Sequence, residues 1–159
     1  MFEVQKITPF LWFDDGAEAA ATHYVKAFPG SRILGVQRYP AGAPRPAGSV
    51  MTVSFELAGQ GFTGINGGPM FKPTEGMGLA VSCDDQKEVD FLWEHLSEGG
   101  STMACGWLKD RWGFAWQIVP RVFIEVMNGG DEAAKARIFA AMLEMTKYDV
   151  AAIARAAKG

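Results

Sequence analysis

Two side chains of this sequence could carry out acid–base or nucleophilic chemistry. Glu56 is a carboxylate on a predicted strand that alternates with apolar residues. It is a candidate proton acceptor with a raised pKa if its face lines a pocket, and a solvated side chain if it does not. Cys105 precedes Lys109 and Arg111, whose charges could acidify its thiol; the alternative is a small buried side chain packed against Trp107. Both are weak candidates for catalysis, and the catalytic residues stay unknown.

The other residues of catalytic type have structural explanations. His23 and His95 lie beside the apolar stripes of two predicted helices, which is typical of surface or interface histidines. Asp110 and Arg111 belong to the segment KDRWG, which has the composition of a turn between strands. In such turns an aspartate usually accepts hydrogen bonds from its own backbone. The sequence therefore offers no histidine as a base.

A second group of side chains is suited to binding. Side chains alternate between the two faces of a strand, and several predicted strands have one apolar face and one that is small, polar or aromatic. We predict that the mixed face lines a cup in which amides orient a ligand and aromatic rings form walls for a flat or apolar molecule. The predicted ligand-binding residues are Thr8, Phe10, Trp12, Asn66, Ser82, Trp107 and Gln117.

These residues are positioned by an internal repeat. Five residues recur 70 positions later with no gap between them, and they mark the start and the end of a predicted helix in each copy. The chain is therefore interpreted as two copies of one unit. The matching pairs are Asp14 and Asp84, Asp15 and Asp85, Glu18 and Glu88, Gly30 and Gly100, and Ser31 and Ser101.

Each copy has the predicted order strand, helix and three strands. The fold expected is α+β, with two βαβββ units forming a curved mixed sheet, helices on its convex side and extra C-terminal helices. We predict one domain at 1–128, with its units at about 6–68 and 77–120, and a helical tail at 129–159. The predicted strands lie at 7–13, 31–39, 50–57 and 62–66, and then at 78–83, 102–105, 107–109 and 115–119. The first helix is expected to be capped by the Asp-x-x-Glu pattern of Asp15 and Glu18.

Composition narrows the classes of partner. Hydrophobic residues make up 48% and charged residues 21% of the chain, and the net charge is −3, so neither a nucleic acid nor an anionic membrane is an expected partner. No targeting segment or membrane span is visible, which predicts a cytoplasmic protein with two free thiols. Unfinished sheet edges and apolar C-terminal helices predict a homodimer.

The paired units resemble the vicinal oxygen chelate superfamily, which includes glyoxalases and bleomycin-resistance proteins. Three stretches are similar to its PhnB-like branch: INGGPMFKP at 65–73, CDDQKEVDFLWEHLSEGG at 83–100 and CGWLKDRWGFAWQIVP at 105–120. The resemblance covers essentially the whole chain. Members of this branch are often labelled 3-demethylubiquinone-9 3-methyltransferases. Nothing in the sequence resembles a glycine-rich loop that joins a strand to a helix and could hold a dinucleotide-like methyl donor, since Gly59-Gln60-Gly61 precedes another predicted strand. The sequence therefore gives this label little support.

The resemblance also implies where a metal would bind. In the superfamily's metal enzymes, His or Glu ligands come from the first and last strands of each unit. Here those positions hold Thr8 or Pro9, Asn66, Gly78 and Gln117. A neutral amide supplies no charge and glycine supplies no donor atom, so we predict no metal and no cofactor.

The predicted function is metal-free binding of a small organic ligand in the cup. The alternative is a metal-independent isomerase, lyase or transferase that uses Glu56 or Cys105. A third hypothesis is a structural or partner-binding protein whose cup is filled by side chains.

Overall fold

The computed structural model describes residues 5–159 of the chain. They form two compact units, one ending at Lys72 and the other spanning Pro73–Gly159. Both cysteines are free thiols, as expected; Cys83 is buried and Cys105 is partly exposed. No helix within this part of the chain has the length and the apolar composition that crossing a membrane requires.

The first unit is a four-stranded mixed sheet with one helix. The strands have the order β1-β4-β3-β2, in which β1 is parallel to β4 and the other pairs are antiparallel. The elements are β1 (Phe10–Phe13), α1 (Ala17–Ala27), β2 (Arg32–Arg38), β3 (Val50–Leu57) and β4 (Gln60–Asn66). The strand predicted at 50–57 is confirmed at those bounds.

The second unit repeats this topology. Its strands have the order β5-β8-β7-β6, again with one parallel pair, β5 and β8. The elements are β5 (Gly78–Cys83), α2 (Gln86–Ser97), β6 (Ser101–Thr102), β7 (Trp107–Lys109) and β8 (Ala115–Pro120). The predicted βαβββ order is thus confirmed in both halves of the chain. The strand predicted at 102–105 is shorter and earlier, because Cys105 has a φ of 59° and leaves the extended conformation.

Helix α1 covers one face of the first sheet. Small side chains allow it to approach closely: a Cβ on Gly64 of β4 would lie 3.3 Å from the Cβ of Ala17. The buried side chains of the strands alternate with more exposed ones, which defines a helix-covered face and an open face. The buried residues of this unit include Leu11, Phe13, Ala17, Ala20, Ala21, Tyr24, Val53, Phe55, Leu57 and Phe62.

The two equivalent helices begin differently. Asp85 is the N-cap of α2, where its Oδ1 accepts from the backbone N–H of Glu88 at 2.9 Å, and Glu88 accepts from the N–H of Asp84 at 2.7 Å. This is a variant of the capping box, in which the Glu88 carboxylate accepts from the N–H of the residue before the N-cap. The cap predicted for α1 is wrong, since its N-cap is Gly16 and makes no side-chain cap.

Three helices follow β8: α3 (Arg121–Gly129), α4 (Glu132–Leu143) and α5 (Val150–Lys158). The last two lie in the predicted helical tail at 129–159, and each has an aspartate N-cap, since Asp131 accepts from the N–H of Ala134 and Asp149 accepts from that of Ala152. No helix is expected from the sequence at α3. The helices share a core with the end of β8, formed by Val119, Ile138, Met142, Tyr148 and Ile153.

The segment between α4 and α5 is attached to the start of α2. Gln86 Nε2 donates to the carbonyl of Tyr148 at 3.1 Å, and the Gln86 Oε1 accepts from the N–H of Val150 at 2.7 Å. Lys147 and Asp90 add an ion pair at 2.6 Å. The backbone around Tyr148 is therefore fixed from both sides.

Candidate functional site

The open face of the first sheet carries two of the predicted aromatic residues. Phe10 and Trp12 alternate with the buried Leu11 and Phe13, and Phe10 is 55% exposed. Phe10 and Trp12 thus lie on the face opposite Leu11 and Phe13, and a ligand contact at either stays a prediction. Thr8 is also exposed but lies before β1.

Trp12 is held in place by the residues that follow β4. Its Nε1 donates to the carbonyl of Gly68 at 2.9 Å, and its ring meets that of Phe71 edge-on, with the centroids 4.9 Å apart. A Cβ on Gly67 would lie 2.1 Å from the indole, so only glycine fits there. Trp12 and Phe71 together form an aromatic wall on this unit.

Asn66 lies on the other face, which corrects the predicted placement. It is 3% exposed, and its Oδ1 accepts from the backbone N–H groups of Gly16 at 3.0 Å and Ala17 at 2.8 Å. Its Nδ2 donates to the carbonyl of Val50 at 3.2 Å. Asn66 therefore supplies the cap that α1 lacks locally. It borders an open hollow of about 390 Å³ lined by Asp15, Gly16, Glu18, Ser49, Val50 and Asn66.

Glu56 lies on the open face of the first sheet. It alternates with the buried Phe55 and Leu57, and its side chain is 27% exposed. Its carboxylate is 3.8 Å from the guanidinium of Arg32, the residue opposite it on β2. The side chain is therefore a half-exposed carboxylate beside a cation.

One face of the second sheet brings Trp107 and Gln117 together, and the C-terminal helices cover this face at Val119, two residues after Gln117. The two residues are directly opposite each other on β7 and β8, and Ala80 of β5 completes the row. Gly78 makes room for the indole, because a Cβ there would lie 2.5 Å from the Trp107 ring. Ser82 is exposed two residues beyond Ala80. Of the residues predicted for this unit, Trp107 and Gln117 are thus adjacent, and Ser82 lies farther along the same face.

The loop before β7 orients the Gln117 amide. Gln117 Nε2 donates to the carbonyl of Cys105 at 3.1 Å. The backbone N–H of Cys105 donates to the carbonyl of Met145 at 2.8 Å, and that of Gly106 donates to Thr146 at 2.8 Å. The C-terminal segment thus holds the loop, and the loop holds Gln117 with its Oε1 directed away from Cys105.

Tyr148 is the residue of this cluster that the sequence did not indicate. It is 1% exposed, and its ring packs so tightly on Gly106 that a Cβ there would lie 2.6 Å from it. Its hydroxyl has no hydrogen-bond partner among residues 5–159. Burial raises the pKa of the Tyr148 hydroxyl to about 12, and the nearby Cys105 thiol acts in the same direction, while a polar contact with the Gln117 side chain that falls short of hydrogen-bond geometry lowers it. The Tyr148 ring is therefore part of the packing around Cys105 and Gly106.

The residues assigned to structural roles behave accordingly. Asp110 is buried; its Oδ1 accepts from the backbone N–H groups of Trp112 and Phe114, and its Oδ2 accepts from Trp116 Nε1 at 2.9 Å. The predicted turn role of Asp110 is confirmed. His95 stacks on Phe91 of its own helix, with the ring centroids 5.6 Å apart.

The donor set at the superfamily's metal positions does not fit a divalent ion. Gly78 has no side chain, the Oδ1 of Asn66 already accepts two backbone N–H groups, and Gln117 is a neutral amide that donates to Cys105. Within residues 5–159, no three His, Cys, Asp or Glu side chains are grouped so that they could hold a metal.

Comparison with known proteins gives one family match. A family model described as 3-demethylubiquinone-9 3-methyltransferase matches residues 5–119, so the match ends before α3. The chain is 33% identical to the PhnB protein from Bacillus cereus, with a TM-score of 0.68, and the similarity covers 73% of this chain and 99% of that protein. Among curated proteins, none matches this chain.

More distant structures share the fold alone. A protein from Pseudomonas aeruginosa is 20% identical, with a TM-score of 0.61 and coverage of 74% of this chain and 98% of that one. A mutant of the fosfomycin resistance protein FosX from Listeria monocytogenes, solved with Mn(II) and 1S,2S-dihydroxypropylphosphonic acid, is 13% identical. Its TM-score is 0.53, and the similarity covers 74% of this chain and 93% of that protein.

Proposed function

Since the chain belongs to the family described as 3-demethylubiquinone-9 3-methyltransferase, the PhnB-like branch of the vicinal oxygen chelate superfamily, we propose that it binds a small organic molecule without a metal ion. The ligand lies on the sheet face that the helix leaves open. The observation that supports this most directly is the pairing of Trp107 with Gln117 on the second sheet.

The chemistry of the open faces suits a flat, uncharged ligand. An indole offers a large apolar surface at a small cost in side-chain entropy, and an oriented amide supplies one directional polar contact. The neighbouring Lys109 is paired with Glu75 and does not add a free cation to the face. On the first sheet, Phe10 and Trp12 offer a similar apolar surface.

Related proteins imply two bound groups, a metal ion and a methyl donor, and neither fits the residues present. A listerial FosX protein of the same fold was solved with Mn(II), but the corresponding positions here provide amides and a glycine. The family description names a methyl transfer, which needs a methyl donor. The two turns from strand to helix read Asp14-Asp15-Gly16 and Asp84-Asp85, and neither is a glycine-rich loop that could cradle such a cofactor. We therefore propose binding without a methyl donor.

A thermal-shift screen tests this function. The full chain is freed of metals with a chelator and heated with single small aromatic and aliphatic metabolites, because a ligand of the folded state raises the Tm by mass action. At 100 times its Kd, a ligand stabilises the protein by about 2.7 kcal/mol. We expect hits in the chelated protein and loss of the shift in Trp107→Ala. Trp112→Ala, in the Asp110–Gly113 turn, is the matched control and should keep it. Hits that require an added divalent ion would contradict the proposal.

A metal-independent enzyme is the second candidate. The observation in its favour is the φ of 59° at Cys105, since strained backbone at non-glycine residues is enriched in functional sites. Cys105 also lies beside Gln117 and Tyr148. Turnover of a screened ligand that disappears in Cys105→Ala or Glu56→Gln would favour this isomerase, lyase or transferase. Binding without turnover favours the first proposal.

We further propose that the protein is a cytoplasmic homodimer. β2 lies at the edge of the first sheet, and Ile33 and Leu34 on it are large exposed apolar residues. Such an edge is usually covered in the native assembly. Sedimentation of the full chain at several concentrations should give the mass of two copies, and a single-copy mass would exclude the dimer; cell fractionation tests the location.

A further inference from the structure

Helix α4 is apolar on both its inner and its outer side. Its charged residues are Glu132, Lys135 and Arg137, and all the others are alanine or larger apolar residues. The inner side is buried at Ile138 and Met142, in the core of the C-terminal helices. A surface helix usually has a polar outer side, and a helix that is apolar all round is normally buried. The outer side of α4 is therefore expected to have a partner.

The outer side carries an exposed apolar stripe. Ala136, Phe139, Ala140 and Leu143 follow the i, i+3, i+4, i+7 spacing of one helix face, and all four are exposed. Phe139 is 49% exposed and Leu143 is 55% exposed. The centre of this stripe lies about 150° around the helix from the buried Ile138. We call these four residues the α4 stripe.

The α4 stripe is complementary in size to a copy of itself that runs in the opposite direction. Around a two-fold axis between positions 139 and 140, position 136 of each copy faces position 143 of the other. Ala136 then meets Leu143 of the second copy at both ends of the contact, a small side chain against a large one. Phe139 and Ala140 lie at the axis. An antiparallel pair would thus bury the whole stripe of both copies.

The charges beside the stripe favour this antiparallel orientation. Arg137 and Glu144 lie on the same flank, about 20° apart around the helix. Bonds to the carbonyls of Ala156 at 2.8 Å and Ala157 at 2.9 Å hold the Arg137 guanidinium there. An antiparallel pair places Arg137 beside Glu144 of the second copy, whereas a parallel pair places it beside Lys135, a like charge. Glu144 is also the C-cap of α4, where the dipole of its own helix disfavours a negative charge.

The edge strand β2 is less suited to pairing with a copy of itself. Its register against β3 is irregular between Ile33 and Gly35, and Arg32 and Arg38 stand at its two ends. Bulges and charged side chains on an edge strand oppose pairing with another strand. A second copy is therefore better accommodated on the α4 stripe.

We propose that the α4 stripe packs against the same stripe of a second copy of this chain, antiparallel around a two-fold axis between residues 139 and 140. The inference rests on the proposed homodimer and assigns its contact to α4. With 12 residues the helix is about 18 Å long, so the contact is smaller than the roughly 1,200–2,000 Å² of a standard interface. A Kd on the order of 1–100 μM is expected.

Leu143→Lys tests the surface. Sedimentation of the wild-type full chain from about 1 μM to about 1 mM should show a change from one copy to two. The variant would bury a charge against Ala136 of the second copy, so its Kd should rise at least about tenfold. The Tm of the dilute variant should not fall, because residue 143 is exposed and a cation suits a helix C-terminus. Leu34→Lys on β2, where Leu34 is 41% exposed, is the matched control and should keep the wild-type Kd.

Glu144→Lys tests the orientation through charge. It places a lysine beside Arg137 of the second copy, so the dimer should weaken about two- to fivefold at low salt and by less at high salt. The single copy should be as stable as the wild type or more so. An unchanged Kd at low salt would contradict the antiparallel pair.

Cysteine crosslinking tests the orientation through distance, in a Cys105→Ser chain whose remaining thiol, Cys83, is buried. In an antiparallel pair the two copies of Ala140→Cys lie at the axis and should form a disulfide-linked dimer. The two copies of Ala136→Cys lie about 10 Å apart along the axis, beyond the roughly 7 Å between Cα atoms that a disulfide can span. Equal crosslinking of both variants would refute the antiparallel arrangement.

The outcomes distinguish this inference from the proposed homodimer. If the wild type keeps a single-copy mass up to about 1 mM, both fail. If two copies associate, and Leu34→Lys raises the Kd while Leu143→Lys does not, the homodimer stands and the α4 contact is refuted. If Leu143→Lys lowers the Tm of the dilute chain, Glu144→Lys and the crosslinks decide.

Discussion

Replacing Asn66 by alanine should destabilise the protein more than removing an ordinary helix cap. The side chain makes three hydrogen bonds, two from the start of α1 and one to the carbonyl of Val50; the bond from Ala17 is buried and the other two are partly buried. Loss of a capping side chain costs roughly 0.5–2 kcal/mol, and loss of a further buried bond costs roughly 0.5–1.5 kcal/mol. The hollow beside Asn66 lets water reach part of the freed backbone, which keeps the sum near about 2–3 kcal/mol.

Asp85→Ala is the matched comparison, since it removes the cap of the equivalent helix α2. That cap is exposed and consists of one bond to the Glu88 N–H, so its loss should cost about 1 kcal/mol. Asn66→Asp should fall between the wild type and Asn66→Ala, because it keeps the acceptor for Gly16 and Ala17 but cannot donate to Val50.

Urea unfolding measures the free energies, and amide hydrogen exchange shows where the change occurs. Asn66→Ala should accelerate exchange in α1, while Asp85→Ala should affect α2. If Asn66→Ala lowers the free energy of unfolding no more than Asp85→Ala does, or if exchange in α1 is unchanged, then the Asn66 side chain does not stabilise the start of α1.

Two further predictions concern ionisable groups. Hydrogen bonds from Lys147 and then Gln86 hold the pKa of Asp90 below its ordinary value of 3.8; a lowered folded-state pKa contributes stability above the unfolded value that is lost as pH falls through the folded value. Urea unfolding should therefore show that Asp90→Asn is less stable than the wild type near neutral pH, and the difference in the free energy of unfolding should close below pH 3.8. A difference that does not change with pH would contradict a stabilising ion pair. Burial raises the pKa of the Cys83 thiol to about 12. A thiol reagent at mildly alkaline pH should therefore modify only Cys105 until the protein is unfolded. Equal labelling of both cysteines in the folded protein would refute this.

Strongly patterned segments could be predicted from the sequence. Gly78–Cys83 and Val50–Leu57 were expected at their observed bounds, because their side chains alternate clearly between apolar and small or polar types. The repeat then predicted the shared βαβββ topology. In α2 the capping box lies within a few residues, so the start of that helix was also visible locally.

The misplacement of Asn66 has a physical reason. β4 presents Phe62 on one face and Ile65 on the other, so hydrophobicity alone does not tell which face meets the helix. Burial shows that Phe62 and Asn66 share the covered face. An asparagine there is stable because it bonds a turn about 50 residues earlier, and no local pattern encodes such a contact.

The candidate site was predicted only in part for a similar reason. Trp107 and Gln117 could be placed on one face from strand alternation. Tyr148 could not, because its position depends on hydrogen bonds between the loop at Cys105 and residues 145–146, forty positions later in the chain. The same bonds explain why the strand predicted at 102–105 ends early.

The different caps of α1 and α2 have a consequence for the order of folding. Asp85 and Glu88 are three residues apart, so α2 can nucleate from its own turn while the rest of the chain is still extended. α1 depends on Asn66, 50 residues from Gly16, and its first turn is completed only when that long loop has closed. Two halves with one topology are therefore expected to assemble by different routes, helix first in the second half and sheet first in the first.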